Sequence, residues 1–217
     1  MELFKNTLFI NLEHRKDRLD HALNEFTKMG INAERIDAIK KSVGAIGCSM
    51  SHIKCLELAK ERDYDYVFIC EDDIDFKNPE LLKQNLEKFN NNKKINWDVL
   101  IIGGNNAPPY QKVEDYCARV FYCRTTTGYI VKKHMYDVLL DNFKNGVSNL
   151  SKDSSKEGIK KYAIDMFWQK LQYQYYWYMV LPPTVSQYTS YSDIENTTRD
   201  YDPLLLDMDK KWYTPKI

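Results

Sequence analysis

Short apolar runs divide the chain and predict the strands of a sheet. β-branched and aromatic residues dominate them, as in Tyr66-Val67-Phe68-Ile69-Cys70, which indicates a central, buried strand. We expect Gly103-Gly104 to close one of these strands, and residues 103–118 to form a surface loop. The predicted strands cover residues 7–12, 31–39, 66–70, 97–102, 119–123, 126–131 and 175–181.

Between these runs, apolar residues recur at helical spacing. Gly30 supplies the stop for the first helix, and a turn at 44–47 precedes the second. The first strand–helix–strand unit is the building block of a parallel sheet with covering helices, so we predict an α/β fold. The polar stretch 145–160 has no periodicity and predicts a mobile loop. Helices are predicted over residues 19–29, 50–59, 79–89, 133–144 and 163–171.

Composition narrows the class of protein. The chain has 217 residues, of which 43% are hydrophobic, enough for one core. With 31 basic and 31 acidic residues it lacks the surplus of positive charge that nucleic-acid binders use. We see no repeat and no second core, so we expect one domain at 1–187 and a carboxyl-terminal extension at 188–217 that packs on it.

Three features of the sequence predict the cellular compartment of the protein. No apolar run approaches the roughly 20 residues of a membrane span. The amino terminus lacks the layout of a signal peptide, and five irregularly spaced cysteines suit a reducing compartment. We therefore expect a cytoplasmic protein without a membrane span; a homodimer is left open.

The strongest chemical signal is Glu71-Asp72-Asp73-Ile74-Asp75, directly after the central strand. Carboxylates this close repel one another, so solvent or a cation must offset the repulsion. In an open α/β sheet, ligands bind at the carboxyl ends of strands, and Mg²⁺ or Mn²⁺ prefers carboxylate oxygens. The alternative is an acidic turn that caps the next helix, although a cap needs only one carboxylate.

Four segments, taken in order, carry a family resemblance. They are Phe9-Ile10-Asn11-Leu12 with Arg15, Asp17 and Arg18; Gly44 to His52; Val67 to Asp73; and Ser192-Asp193-Ile194 after Gln187. Together they resemble glycosyltransferase family 25, which includes lipo-oligosaccharide and collagen β-galactosyltransferases. One departure is Ala45, where the family usually has Glu.

The resemblance implies a GT-A type fold with a Rossmann-like mixed sheet flanked by helices. It implies transfer of a hexose from a nucleotide-diphosphate sugar, with a UDP-sugar favoured, to a hydroxyl acceptor on a glycan or protein. It also implies Mn²⁺, or Mg²⁺, as cofactor and an inverting reaction.

The chemistry of sugar transfer suggests roles for the residues of the acidic motif. A dication offsets the charge that develops on the leaving diphosphate. We expect Asp73, with Glu71 or Asp75, to hold it, and we assign Asp72 to the donor; which of these carboxylates contact the metal is open from the sequence. No histidine follows His134, so Gln187, Ser192, Asp193 or water would complete the metal site.

The donor is expected to lie across the first strand, the glycine turn and the acidic motif. Arg15 and Arg18 can donate paired hydrogen bonds to phosphate, and as plain surface charges they would be disfavoured at a helix start. For His52 the alternative is a histidine at the edge of the core. The predicted donor-binding residues are Ile10, Asn11, Leu12, Arg15, Arg18, Gly47, Ser51, His52, Asp72 and Gly103.

Asp165 is the predicted catalytic base. It stands among apolar neighbours at the start of a helix, where partial burial would raise its pKa. The alternative role is an ordinary carboxylate in the first turn of that helix.

Two other functions remain open from the sequence. A sugar-1-phosphate nucleotidyltransferase shares the acidic strand end, but residues 13–18 lack the glycines of its phosphate loop. A non-catalytic glycan-binding domain is the third reading, and the intact carboxylate cluster argues against it.

Overall fold

The computed structural model of the protein describes residues 2–192 and 197–210. In chain order its strands are β1 (Thr7–Asn11), β2 (Ala33–Asp37), β3 (Tyr66–Glu71), β4 (Ile74–Phe76), β5 (Val99–Asn106), β6 (Tyr110–Glu114), β7 (Cys117–Val120), β8 (Cys123–Lys132), β9 (Trp177–Val180), β10 (Val185–Gln187), β11 (Tyr191–Ser192) and β12 (Thr197–Thr198). The helices are α1 (Lys16–Met29), α2 (Gly44–Glu61), α3 (Pro79–Asn91), α4 (Tyr136–Lys152), α5 (Lys156–Tyr162), α6 (Ile164–Phe167), α7 (Gln169–Gln174) and α8 (Asp202–Leu205).

Eight strands form one mixed sheet in the order β2-β1-β3-β8-β5-β9-β7-β6. Strand β1 runs parallel to both of its neighbours, β2 and β3. Strand β8 is antiparallel to β3 and β5, whereas β9 is parallel to β5. The predicted α/β fold, with a Rossmann-like mixed sheet flanked by helices, is confirmed.

Alternation along the strands gives the sheet two apolar faces. Leu8 of β1 and Ile69 of β3 join one core cluster, which includes residues of α2 and α4. Phe9 and Phe68 join the other, which includes residues of α1 and α3. Each buried aliphatic or aromatic side chain contributes roughly 1.5–3 kcal/mol, so burial on both faces stabilises the layers.

The end of helix α1 follows from its glycine, as predicted. Gly30 adopts a left-handed conformation with φ of 67°, and its N–H reaches the carbonyl groups of Phe26 and Thr27. A residue without a β-carbon takes this conformation at no steric cost.

The prediction of a loop over 103–118 was wrong. Strand β5 continues through both glycines to Asn106, and β6 and β7 form a hairpin at the edge of the sheet. Residues 111–115 are exposed, so the first strand of this hairpin lacks the apolar alternation by which strands are recognised.

The prediction of a mobile loop over 145–160 was also wrong, because α4 runs to Lys152 and α5 begins at Lys156. The polar residues that suggested a loop have structural roles there. The Ser155 hydroxyl accepts a hydrogen bond from the Gly158 N–H at 3.1 Å and so caps α5. A β-carbon on Gly146 would approach the carbonyl oxygen of Tyr162 to 3.0 Å, so this glycine lets the two helices meet.

The expected turn at 44–47 is the first turn of α2. A β-carbon on Gly47 would lie 2.3 Å from the carbonyl oxygen of Ile39, so the helix packs against the segment that precedes it. The Ser51 hydroxyl accepts from the Ile39 N–H at 2.8 Å and fixes the same contact.

Strand β10 returns to the acidic segment by pairing antiparallel with β4. Beyond it, the Tyr110 hydroxyl donates to Asp209 at 2.7 Å. In the parts of the chain that the structure describes, no helix is both long enough and apolar enough to cross a bilayer. The division into 1–187 and 188–217 stays a prediction.

Candidate active site

Two carboxylates and an arginine meet where β1 and β3 end. Asp72 and Asp73 follow β3 and are both buried. Asn11, the last residue of β1, donates from Nδ2 to Asp72 Oδ2 at 2.7 Å. Parallel β1 and β3 end at the same edge of the sheet, which brings the amide and the carboxylates together.

Arg18 of α1 bridges both carboxylates. Its Nη1 donates to Asp72 Oδ1 at 3.0 Å and to Asp73 Oδ2 at 2.9 Å. Its other nitrogens contact the Ser190 hydroxyl at 3.1 Å and the Tyr191 carbonyl oxygen at 3.3 Å. The arginine therefore links the acidic turn to the segment that follows β10.

Burial raises the pKa of both Asp72 and Asp73 above the ordinary value, and the charge of Arg18 partly offsets this rise. Two carboxylates facing one guanidinium leave an excess negative charge in a buried place. A dication would relieve that excess, and hard oxygen ligands suit Mn²⁺ or Mg²⁺. The Asp72–Asp73 pair therefore fits the expected metal.

Gln187 comes to this pair through β10. Its Nε2 donates to Asp73 Oδ1 at 3.4 Å, and the neighbouring Tyr188 N–H donates to the Asp73 carbonyl oxygen at 2.6 Å. Rotating the Gln187 amide by half a turn would present its oxygen to a cation at the same place. Asp193, the other acidic candidate, lies outside the described residues.

The other two predicted metal ligands lie elsewhere. Asp75 pairs with Lys77 at 2.8 Å. Glu71 follows the alternation of β3, so it lies on the same face as Ile69 and reaches α2. Its Oε1 lies 3.3 Å from His52 Nε2 and 4.0 Å from Cys48 Sγ, and it accepts from the Thr126 hydroxyl. The alternation of side chains along β3 is the sequence signal that predicts Glu71 on the face toward α2.

Asp165 lies in α6 beside a bulge in β8. Its Oδ2 accepts a hydrogen bond from the Thr125 N–H at 3.1 Å. Burial raises the pKa of Asp165, and this backbone hydrogen bond together with the charge of Arg124 partly lowers it. A carboxylate with a raised pKa matches what a general base at neutral pH requires.

The bulge explains how Thr125 and Thr126 reach their partners. Gly103 of β5 pairs with Gly128, and Asn105 pairs with Arg124, so three residues of β8 lie opposite one of β5. Thr125 takes a positive φ of 68°, which is unusual for a β-branched residue. Sequence reasoning missed both threonines, because a bulge depends on strand register and leaves no periodic signal.

The remaining predicted donor residues are Arg15, four residues engaged in packing, and Leu12. Arg15 pairs with Asp17 at 2.7 Å and holds the pKa of Asp17 down to about 2. It also donates to the Tyr191 carbonyl oxygen at 2.8 Å. A β-carbon on Gly103 would lie 2.8 Å from Val185, so this glycine lies beneath β10. Those engaged in packing are Ile10, Gly47, Ser51 and Gly103; Leu12 is half-buried just after β1.

Comparison with known families gives one match. The model of "Glycosyltransferase family 25 (LPS biosynthesis protein)" matches residues 41–168. This range runs from just before α2 to just after α6 and includes the acidic turn and Asp165. No curated protein matches the chain.

Solved structures show distant likenesses. One is a glycosyltransferase involved in the glycosylation of the major capsid of PBCV-1, with 10% identity, a TM-score of 0.46 and coverage of 72% of each chain. Another is the nucleoside-diphosphate-sugar pyrophosphorylase from Vibrio cholerae RC9, with 14% identity, a TM-score of 0.40 and coverage of 85% of this chain and 82% of that one. Neither likeness bears on the activity.

Proposed function

The chain belongs to glycosyltransferase family 25, and we propose that it transfers a hexose from a nucleotide-diphosphate sugar to a hydroxyl of a glycan or protein. A UDP-sugar is the donor class we propose, with Mn²⁺ or Mg²⁺ as cofactor and inversion at the anomeric carbon. The observation that carries this proposal is the buried Asp72–Asp73 pair, bridged by Arg18, at the carboxyl ends of β1 and β3.

Asp73, Asp72 and the amide of Gln187 would hold the cation. When bound, a dication offsets the negative charge that develops on the leaving diphosphate. Arg18 contacts both carboxylates and therefore lies beside the proposed phosphate position, where its guanidinium can donate paired hydrogen bonds. Asn11 holds the Asp72 carboxylate in place through its side-chain amide.

Asp165 is the proposed general base. It takes the proton of the acceptor hydroxyl while that oxygen attacks the anomeric carbon, and the bond from that carbon to the diphosphate oxygen breaks. The Thr125 N–H fixes the orientation of the carboxylate by bonding to Oδ2. Because its pKa is raised, the Asp165 carboxylate is a stronger base toward the acceptor hydroxyl near neutral pH.

The proposal is tested by nucleotide diphosphate release from a panel of UDP- and GDP-sugars, with and without Mn²⁺ and with simple glycans as acceptors. Transfer predicts release that depends on metal and acceptor. Pyrophosphate exchange would instead indicate a nucleotidyltransferase. Sugar binding without any release would indicate a glycan-binding domain, and either of these results would overturn the proposal.

Asp73 and Asp75 offer a matched pair of variants. We expect Asp73→Asn to reduce metal-dependent transfer by about 10²-fold or more, since it removes a ligand of the cation that stabilises the leaving group. Asp75→Asn removes a carboxylate that pairs with Lys77, so we expect less than a threefold change. Steady-state rates across a Mn²⁺ series measure both. Equal losses in the two variants would contradict the metal assignment.

A further inference from the structure

Three metal-ligating side chains meet between α2 and the end of β3. Cys48 and His52 are four residues apart on α2, so they lie on one face of the helix. Glu71 reaches them from β3. The sulfur, one ring nitrogen and one carboxylate oxygen all lie within 4.8 Å of one another, and among residues 2–192 and 197–210 this is the one such group of three.

The separations suit a tetrahedral ion. Zinc bonds of about 2.0 Å to nitrogen and oxygen and 2.3 Å to sulfur place neighbouring ligand atoms roughly 3.3–3.6 Å apart. His52 Nε2 lies 3.3 Å from Glu71 Oε1, and Cys48 Sγ lies 4.0 Å from the same oxygen. Closing the second distance requires only a small movement of the half-buried Cys48 side chain.

The surrounding groups orient the ligands as they do in metal sites. His52 is fully buried, and its Nδ1 lies 2.9 Å from the Tyr129 hydroxyl, which fixes the ring with Nε2 toward Glu71. The Thr126 hydroxyl donates to Glu71. The Glu71 side chain is 21% exposed, so an ion can enter from solvent.

We propose that Cys48, His52 and Glu71 form a zinc site, separate from the Asp72–Asp73 pair. A thiolate and an imidazole prefer Zn²⁺ over Mn²⁺, whereas the aspartates offer only hard oxygen atoms. Binding releases the thiol proton, after which one thiolate and one carboxylate balance the two positive charges of the ion. Water or another ligand would supply the fourth donor atom. This site does not depend on the proposed transfer reaction.

Cobalt substitution tests the site directly. The reduced, chelator-treated protein is titrated with Co²⁺, and the thiolate-to-cobalt charge-transfer band is followed in the near ultraviolet. We expect the band to saturate at one Co²⁺ per chain and to disappear when one equivalent of Zn²⁺ is added. Cys48→Ala should abolish the band, and Glu71→Gln should weaken Zn²⁺ binding at least tenfold. Tyr129→Phe keeps every ligand and should weaken binding by about 10–100-fold.

Cys55→Ala is the matched control, because Cys55 is on the same helix but buried in the core. It should keep the band, and circular dichroism should show every variant folded. A wild-type protein without the band, a band that persists in Cys48→Ala, or an equal loss in Cys55→Ala would overturn the proposal. Zinc affinity that survives Cys48→Ala but is lost in Asp73→Asn would assign the ion to the aspartates instead.

Discussion

At the scale of single residues, Asp165 is held where its charged form is unfavourable. Burial raises its pKa, so the folded protein binds this proton more tightly than the unfolded chain does. Its contribution to the free energy of unfolding therefore falls as pH rises through the raised pKa. A carboxylate kept in such a place is typical of a catalytic group.

Asp165→Asn distinguishes the proposed catalytic role from a structural one. We expect transfer to fall by about 10²–10⁴-fold, the range lost with a general base. The asparagine oxygen still accepts from the Thr125 N–H, and the buried charge is gone, so the melting temperature at pH 7 should be unchanged or higher. Rate assays and thermal unfolding measure the two effects. A large loss of stability with little loss of rate would instead make Asp165 a helix-start carboxylate.

The pH profile provides a second check on the same residue. The base must be ionised to accept a proton, so kcat/KM should fall on the acid side with a pKa above the ordinary aspartate value of 3.8. Measuring kcat/KM from pH 4 to 9 locates this limb. An acid limb at or below the ordinary value would argue against Asp165 as the base.

At the scale of elements, the bulge in β8 aims two neighbouring residues at different parts of the site. Thr125 offers its backbone N–H to Asp165, and Thr126 offers its hydroxyl to Glu71. The positive φ of Thr125 costs roughly 1–2 kcal/mol in a residue with a β-carbon. The backbone is thus held in an unfavourable conformation beside the proposed base.

Glycine at position 125 should relieve that cost. We expect Thr125→Gly to raise the free energy of unfolding by up to about 1 kcal/mol, since glycine accepts a positive φ. Thr125→Ala retains a β-carbon and should not stabilise. Urea unfolding of both variants measures the difference. If alanine stabilised as much as glycine, the side chain of Thr125 would be responsible rather than its backbone conformation.

Elements with a clear period were predictable from the sequence, and those defined by tertiary contacts were not. The central strand and the stop at Gly30 follow from local pattern alone. The outer strand of the edge hairpin, β6, is mostly exposed, and the glycines at 146 and 158 mark close contacts rather than a loop. In the candidate site, the segments at residues 9–18 and 67–73 predicted that Asn11, Arg18 and Asp73 lie close to one another. The orientation of Glu71 toward His52 depends on strand alternation, and the threonine contacts depend on register.

At the scale of the whole molecule, we expect ligand binding at the buried carboxylates to increase the stability of the folded protein. Any ligand that binds only the folded protein stabilises it, by about 2.7 kcal/mol at 100 times its dissociation constant. We expect Mn²⁺ with UDP to raise the melting temperature, and Asp73→Asn to remove most of that shift. Thermal unfolding across a Mn²⁺ series measures it. An unchanged shift in Asp73→Asn would move the metal away from this pair.

The pairing of β4 with β10 has a consequence for biosynthesis. Asp73 and Gln187 are 114 positions apart, and Arg15 contacts Tyr191 across 176 positions. During translation, the ribosome synthesises the acidic turn long before it synthesises β10, the strand that pairs with β4 beside this turn. The nascent polypeptide can form β1 to β3 early, yet the proposed cation site is complete only after β10 has been synthesised.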